Sequence, residues 1–235
     1  MKSDIGIITV SWIRNDEERS VVLETMEALS RLHIPIVIVD KGSAPADLQL
    51  ISRMQSVKLI TGVGNLTDQL KTAHREGAQI ADNLFYLHSD KLDFAQNTVS
   101  KMVERYRMLQ KKGMFIPSRM HATMQAYPKY QRITEEYLNF FMSDYIGMEE
   151  DYYAGPKIYP ATLVKYLDFL QEDIGWGIEA YFYVIAKRLN MPFDFMSFDM
   201  SPPKDIDDEK TTKMYRLKIT QWEISGFMKG LEVAL

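Results

Sequence analysis

Three segments carry side chains that could handle a charged ligand: Ser11-Trp12, Asp40 and His88-Ser89-Asp90. Each follows a continuous apolar run, at 5–10, 36–39 and 84–87, so each polar group stands at the carboxyl end of a buried strand. There is no cysteine, and the four histidines stand at 33, 74, 88 and 121. That composition excludes a thiol nucleophile, a disulfide framework and a thiolate metal site, and it argues against an all-histidine cage. A metal in such a chain is a hard cation held mainly by oxygen. Charge is also unevenly spread: eight Lys or Arg and one acid, Glu104, lie between 101 and 132, then nine acids and two lysines between 135 and 173. A basic stretch next to an acidic one could set an anionic substrate beside carboxylates, or could be two solvated surfaces.

The elements that must position these groups alternate in the first half. Strands are expected at 5–10, 36–39, 57–60 and 84–87. Helices are expected from Asn15 or Asp16, from Pro45 to about Gln55, and over 66–81. Strand and helix in strict alternation imply an α/β fold with a doubly wound, mostly parallel sheet and helices on both faces, whose ligands sit beyond the carboxyl ends of the strands near a topological switch. The second half predicts helices over 98–112, 160–171 and 176–190, strands over 114–117 and 193–196, and a long closing helix over 207–233 carrying Met214, Leu217, Trp222 and Phe227. The aromatic-rich stretch 118–160 reads as irregular, with 119–132 as a lid.

Of 235 residues, 46% are hydrophobic and 26% charged, enough for a sizeable core. We expect one domain, with a ligand-binding half over 1–93, a second half over 94–203 and the helix from 204 to 235. A net charge of −4 argues against a partner of bulk nucleic acid. No apolar run is long enough to span a bilayer, and the amino terminus runs straight into a strand, so a cytoplasmic location is expected.

Asp40 in Val39-Asp40-Lys41-Gly42-Ser43, Asp90 in Leu87-His88-Ser89-Asp90, and Gly175-Trp176-Gly177-Ile178-Glu179 preceded by Glu172-Asp173 occur in an order that resembles nucleotide-sugar glycosyltransferases of the GT-A fold. The likeness covers roughly residues 5–196. The lone metal-site aspartate and long final helix are similar to enzymes making small solutes such as mannosylglycerate or glucosyl-phosphoglycerate. The resemblance implies transfer of a sugar from a UDP- or GDP-sugar donor to a small or soluble acceptor, with Mg²⁺ or Mn²⁺ on the diphosphate. There is one departure: His88 stands where the family's Asp-x-Asp motif has its first aspartate.

Carried over residue by residue, the resemblance puts Asp40 against the nucleoside, Asp90 on the metal and diphosphate, and Glu172 or Asp173, as catalytic carboxylate, with Trp176 and Glu179 on the acceptor side. Residue type and position add Ser11, Gly64, Lys71 and Ser89 as nucleotide-sugar contacts, His88 as a second metal ligand and Arg119 as a contact to an anionic acceptor. The leaving diphosphate gains charge in the transition state, which is why the chemistry wants a cation or basic side chains there. If configuration inverts, Glu172 or Asp173 takes the acceptor proton; if it is retained, they orient hydroxyls.

Each residue also has a plainer role. Asp40 and Asp90 could cap turns, Gly62-Val63-Gly64 could be a simple turn, and Trp12 and Trp176 could pack in the core rather than stack. Two further functions fit the same fold. A sugar nucleotidyltransferase usually has a Gly-rich loop after the first strand, which Ser11-Trp12-Ile13-Arg14-Asn15-Asp16 lacks, and a non-catalytic nucleotide- or partner-binding relative is consistent with the missing aspartate.

Overall fold

The computed structural model describes residues 2–109, 112–198, 200 and 209–235. By packing, the chain divides into two compact units. One runs to Gly113 and takes in Pro156–Asp168; the other comprises Met114–Gly155 and the chain from Phe169 onward.

The first unit is built on β1 (Ser3–Ser11), β2 (Ile36–Asp40), β3 (Val57–Thr61) and β4 (Ala81–Tyr86), linked by α1 (Asp16–Ser30), α2 (Pro45–Ser52) and α3 (Leu66–Ile80). Helices α4 (Leu92–Asn97) and α5 (Val99–Met108) follow. The strands lie in the order β3-β2-β1-β4, all parallel, and Lys157–Pro160 joins antiparallel beside β4 with Tyr86 opposite Lys157. Because β2 and β4 flank β1 on opposite sides, the winding reverses between β1 and β4, where an open sheet forms its ligand crevice. β2 is wholly buried because it is covered on both faces, which is why Ile36-Val37-Ile38-Val39 shows no alternation. His74, buried on α3, ties the helix to the late strand: its Nε2 is 2.6 Å from the Tyr159 hydroxyl.

In the second unit, β5 (Met114–Arg119) is followed by α6 (His121–Gln125) and α7 (Lys129–Ile146). The stretch 119–132 is therefore strand end and helix, not an irregular lid. Tyr127 is buried and its hydroxyl donates to the Met200 carbonyl at 3.0 Å, which anchors the α6–α7 connection. The late antiparallel strand named above is β6 (Lys157–Pro160), and the expected helix over 160–171 is a 3-10 run at Ala161–Phe169. A 3-10 turn at Gly175–Gly177 leads into the buried helix α8 (Ile178–Arg188), then β7 (Phe193–Phe198), parallel to β5, and the long α9 (Glu209–Glu232).

α9 lies backbone to backbone on the Gly175–Gly177 turn. A Cβ on Gly226 would stand 1.8 Å from the Gly177 carbonyl oxygen, and one on Gly177 would stand 1.9 Å from that of Trp222. Two glycines are needed for that approach. Among the described residues, no helix is long and apolar enough to cross a membrane.

Candidate functional site

The loops after β1 and β2 are stitched together by Asp40. Its Oδ2 accepts from the Ser11 hydroxyl at 2.7 Å and the Ser43 hydroxyl at 2.6 Å, and its Oδ1 accepts from the Gly42 and Ser43 N–H groups at 2.8 and 2.7 Å. The Ile13 N–H donates to Ser43 Oγ at 2.8 Å, closing the link. Four donors fill a carboxylate's acceptor capacity, and Asp40 is fully buried. In this arrangement Asp40 and Ser11 hold the loops in shape rather than offering free groups to a nucleotide, the turn-capping alternative.

What those loops present is Trp12. This residue is 44% exposed, with Lys41 Nζ 4.3 Å and the Arg14 guanidinium carbon 5.3 Å from its ring centroid. The core-packing alternative for this residue fails, because the chain leaves the sheet at Ser11 and carries the next side chain outward. A flat exposed ring flanked by two cations suits a flat, anionic ligand.

At the end of β4, the half-buried His88 leans on Tyr86, ring centroids 5.2 Å apart, and Ser89-Asp90 form a turn with Asp90 exposed. The amino terminus of α1 lies near it electrostatically. Partial burial pushes the Glu18 carboxyl up, but hydrogen bonds and charge from Arg14 outweigh this and hold it below the usual carboxylate range, against the opposing charge of Asp90. Beside this turn stands Lys157, fully buried on β6 with Nζ 5.6 Å from the Tyr86 ring. Lys157 carries no sequence signal beyond its position after Gly155-Pro156, because a four-residue strand shows no usable period.

Gly64 and Lys71 sit at and on α3. Gly62 has φ +75°, and a Cβ on Gly64 would meet the Asp68 carboxylate at 2.5 Å. That carboxylate completes a capping box in which the Asn65 side chain accepts from the Asp68 N–H at 2.9 Å. The glycines thus make room for a helix cap, the plain turn reading. Lys71 is half-buried one turn further on.

The remaining candidates belong to the second unit. Arg119, expected to meet an anionic acceptor, is instead buried in an ion-pair network: Nε to Asp151 Oδ2 at 2.6 Å, Nη2 to Asp151 Oδ1 at 2.9 Å, and Nη2 to Glu135 Oε2 at 2.7 Å. Burial disfavours its charge, but the two carboxylates outweigh that and raise its proton affinity. The Arg216 guanidinium adds a pair to Glu135 at 3.0 Å. This arginine is committed to the fold.

Glu172 is exposed and paired with Lys229 at 2.6 Å, a hydrogen bond that lowers its proton affinity. Asp173, also exposed, accepts from the Gly175 N–H at 3.2 Å. Trp176 is half-buried, its indole N–H donating to the Tyr215 hydroxyl at 3.2 Å. Glu179 is buried on α8, and it and Glu223 add to the burial that pushes the Tyr153 and Tyr183 hydroxyls well above their usual range.

For a divalent cation, the donor set at the end of β4 is Asp90 and His88. Among the described residues no group of three or more His, Cys, Asp or Glu forms a protein cage. One exposed carboxylate, an imidazole two residues before it and the nearby charge of Glu18 fit a hard cation that arrives with phosphate oxygens and water completing its shell.

No protein-family model matches the chain, and no curated protein sequence does either. Solved structures do. One is a Mycobacterium tuberculosis glucosyl-3-phosphoglycerate synthase complexed with Mn²⁺, UDP-glucose and phosphoglyceric acid, with a TM-score of 0.72 at 11% identity over 96% of this chain and 80% of that one. The same enzyme with Mg²⁺ and UDP gives 0.68 at 11% identity, over 96% and 80%. A mannosyl-3-phosphoglycerate synthase from Rubrobacter xylanophilus gives 0.71 at 10% identity, over 99% and 76%. At that identity the likeness is one of architecture, and the chain has the GT-A-like fold of these nucleotide-sugar glycosyltransferases.

Proposed function

We propose that this chain is a glycosyltransferase that moves a sugar from a nucleoside-diphosphate-sugar to a small anionic acceptor. The observation that carries the reading is the gathering of Trp12, Lys41, His88 and Asp90 at the carboxyl ends of β1, β2 and β4, where the sheet reverses its winding. The structural neighbours support it, since their complexes hold UDP or UDP-glucose with Mn²⁺ or Mg²⁺, and phosphoglyceric acid.

In this reading Trp12 stacks on the base, and Lys41 and Arg14 meet phosphate. The Ser11–Asp40–Ser43 bonds keep that platform rigid before the donor arrives, which lowers the cost of ordering it. Asp90 and His88 would hold a divalent cation, which would supply charge neutralisation for the departing diphosphate. Lys157 adds positive charge from the β6 side. Asp173 or Glu172 contacts the acceptor hydroxyl, and Lys229 lowers the proton affinity of Glu172. Trp176 and Glu179 line the acceptor side.

The test is thermal melting of the chain with UDP, GDP, ADP or CDP, with and without Mn²⁺. A nucleotide at a hundred times its dissociation constant adds about 2.7 kcal/mol, a rise of about 5–11 °C for this size. A metal-dependent rise with one nucleotide, lost in Asp90→Ala, supports the proposal, as does transfer from the matching nucleotide-sugar to 3-phosphoglycerate. No rise with any of the four overturns it.

A further inference from the structure

One side of α9 is fastened to the segment 172–177, on which Glu172, Asp173 and Trp176 stand. The Tyr215 hydroxyl accepts from the Trp176 indole N–H at 3.2 Å, and Lys229 pairs with Glu172 at 2.6 Å. Between them along the helix, the Trp222 ring fills the space that a Cβ on Gly175 would need, and Gly226 meets Gly177 backbone to backbone. Positions 215, 222, 226 and 229 follow helical spacing and so line one side of α9. Lys218 stands in the same row, one turn from Tyr215 and one from Trp222, with its Nζ 4.5 Å from the Trp222 ring centroid. α7 lies along a different side, through the Arg216–Glu135 pair and the edge contact of Phe227 with Tyr145.

The neighbouring cations are already neutralised. Lys229 is shared by Glu172 and Glu232, and Arg119 and Arg216 are bound to Asp151 and Glu135. Lys218 is exposed, and among the described residues no carboxylate pairs with it; the face of Trp222 holds it in place and leaves its charge intact. Tyr215 is complementary. An indole N–H can only donate, so the phenol oxygen accepts from Trp176 and keeps its own O–H to give elsewhere. This residue is 47% exposed.

We propose that Lys218 and Tyr215 form the subsite for the phosphate of a phosphorylated acceptor, an ammonium and a hydroxyl turned on one oxyanion beside Trp176. The proposal rests on the glycosyltransferase reading, and it names the cation that Arg119, sunk in its ion pairs, does not supply. A lysine ammonium is a compact point charge, suited to phosphate, whereas a planar carboxylate is better matched by the arginine fork. Positions three apart on a helix stand about 5–6 Å from one another at Cβ, close enough for two long side chains to converge on one phosphate.

The test is calorimetric titration of the full chain with 3-phosphoglycerate and with D-glycerate, in the presence of the nucleotide and Mn²⁺ that raise its melting midpoint. Lys218→Gln should weaken 3-phosphoglycerate binding about tenfold or more, the usual worth of a hydrogen bond to a charged group. It should leave D-glycerate binding, nucleotide binding and the unliganded melting midpoint as in wild type. Lys218→Arg should recover most of the loss, and Tyr215→Phe should show a smaller loss in the same direction. Lys213→Gln removes an equal charge from another side of α9, over the Tyr130 ring, and should change nothing. Unchanged 3-phosphoglycerate binding in Lys218→Gln overturns the subsite, while the nucleotide-induced rise keeps the glycosyltransferase reading standing. A wild type that does not bind 3-phosphoglycerate overturns it as well. So does equal weakening in Lys213→Gln or for D-glycerate, since the charge then acts at a distance or on a carboxylate. No rise with any nucleotide overturns the glycosyltransferase reading and this subsite with it.

Discussion

Arg119 and Asp151 meet side on: two parallel bonds of 2.6 and 2.9 Å join the guanidinium to the carboxylate, and the Arg119 backbone N–H adds a third at 3.2 Å. Asn139 also donates to Asp151, at 3.0 Å, so the pair ties β5, α7 and the segment after α7 together. Removing the arginine leaves Asp151 buried without its counter-charge and Glu135 with Arg216 alone; breaking a buried pair in this way typically costs about 3–5 kcal/mol. Arg119→Ala should therefore lower the melting midpoint by about 6–20 °C. A midpoint within a degree of wild type would show that the network does not hold the unit together.

The same pair makes stability depend on acid. Burial alone would raise the Asp151 carboxyl, but Arg119 and Asn139 outweigh it and hold its folded-state pKa below the ordinary carboxylate value. A depressed folded pKa means the contribution is present above the unfolded carboxylate range, near pH 4, and is lost as pH falls through the folded value. The stability difference between wild type and Asp151→Asn, from urea unfolding, should shrink between pH 6 and pH 2. A difference constant over that range would show that Asp151 does not titrate this way.

Trp12→Ala should weaken nucleotide binding by about 1–3 kcal/mol, the usual worth of one base–aromatic stack, or roughly five- to 150-fold. Its ring is exposed, so the melting midpoint of the unliganded chain should stay nearly unchanged. Isothermal titration together with a melt separates the two effects. Intact affinity would place the base elsewhere.

Gly226→Ala sets two effects in opposition. Alanine is the better helix former by about 1 kcal/mol, yet its methyl would stand 1.8 Å from the Gly177 carbonyl oxygen. Contact with backbone cannot be relieved by a rotamer change, so overpacking, at about 1–3 kcal/mol or more, wins. Urea unfolding should show a less stable chain; a more stable one would mean that α9 stands off the turn.

The first four strands are legible because β-branched apolar runs and short connections leave few other arrangements for 5–87. The strand-end polar residues follow from that pattern. What fails is whatever depends on distant partners. Arg119 reads as a surface cation because Glu135 and Asp151, which bury it, come later in the chain. β6 is hidden because Lys157 and Pro160 bound a strand of four residues. α7 is hidden because Tyr137, Phe140 and Phe141 on its outer side blur the contrast between its two faces. Asp40 is legible as a strand-end carboxylate, but its four donors are visible only once two loops come together. Trp12 misleads for a simpler reason: a tryptophan following a buried strand is more often core.

The placement of β6 beside β4 has a consequence during synthesis. β4 ends at Tyr86, and the strand that covers its open edge begins only at Lys157. A ribosome adding about 5–20 residues per second needs roughly 4–14 s to bridge that interval. Throughout it the nascent first unit displays an unpaired row of backbone donors and acceptors, the kind of edge on which chains aggregate. Slowing translation between these two points should therefore lower soluble yield, and a chaperone that shields strand edges should restore it.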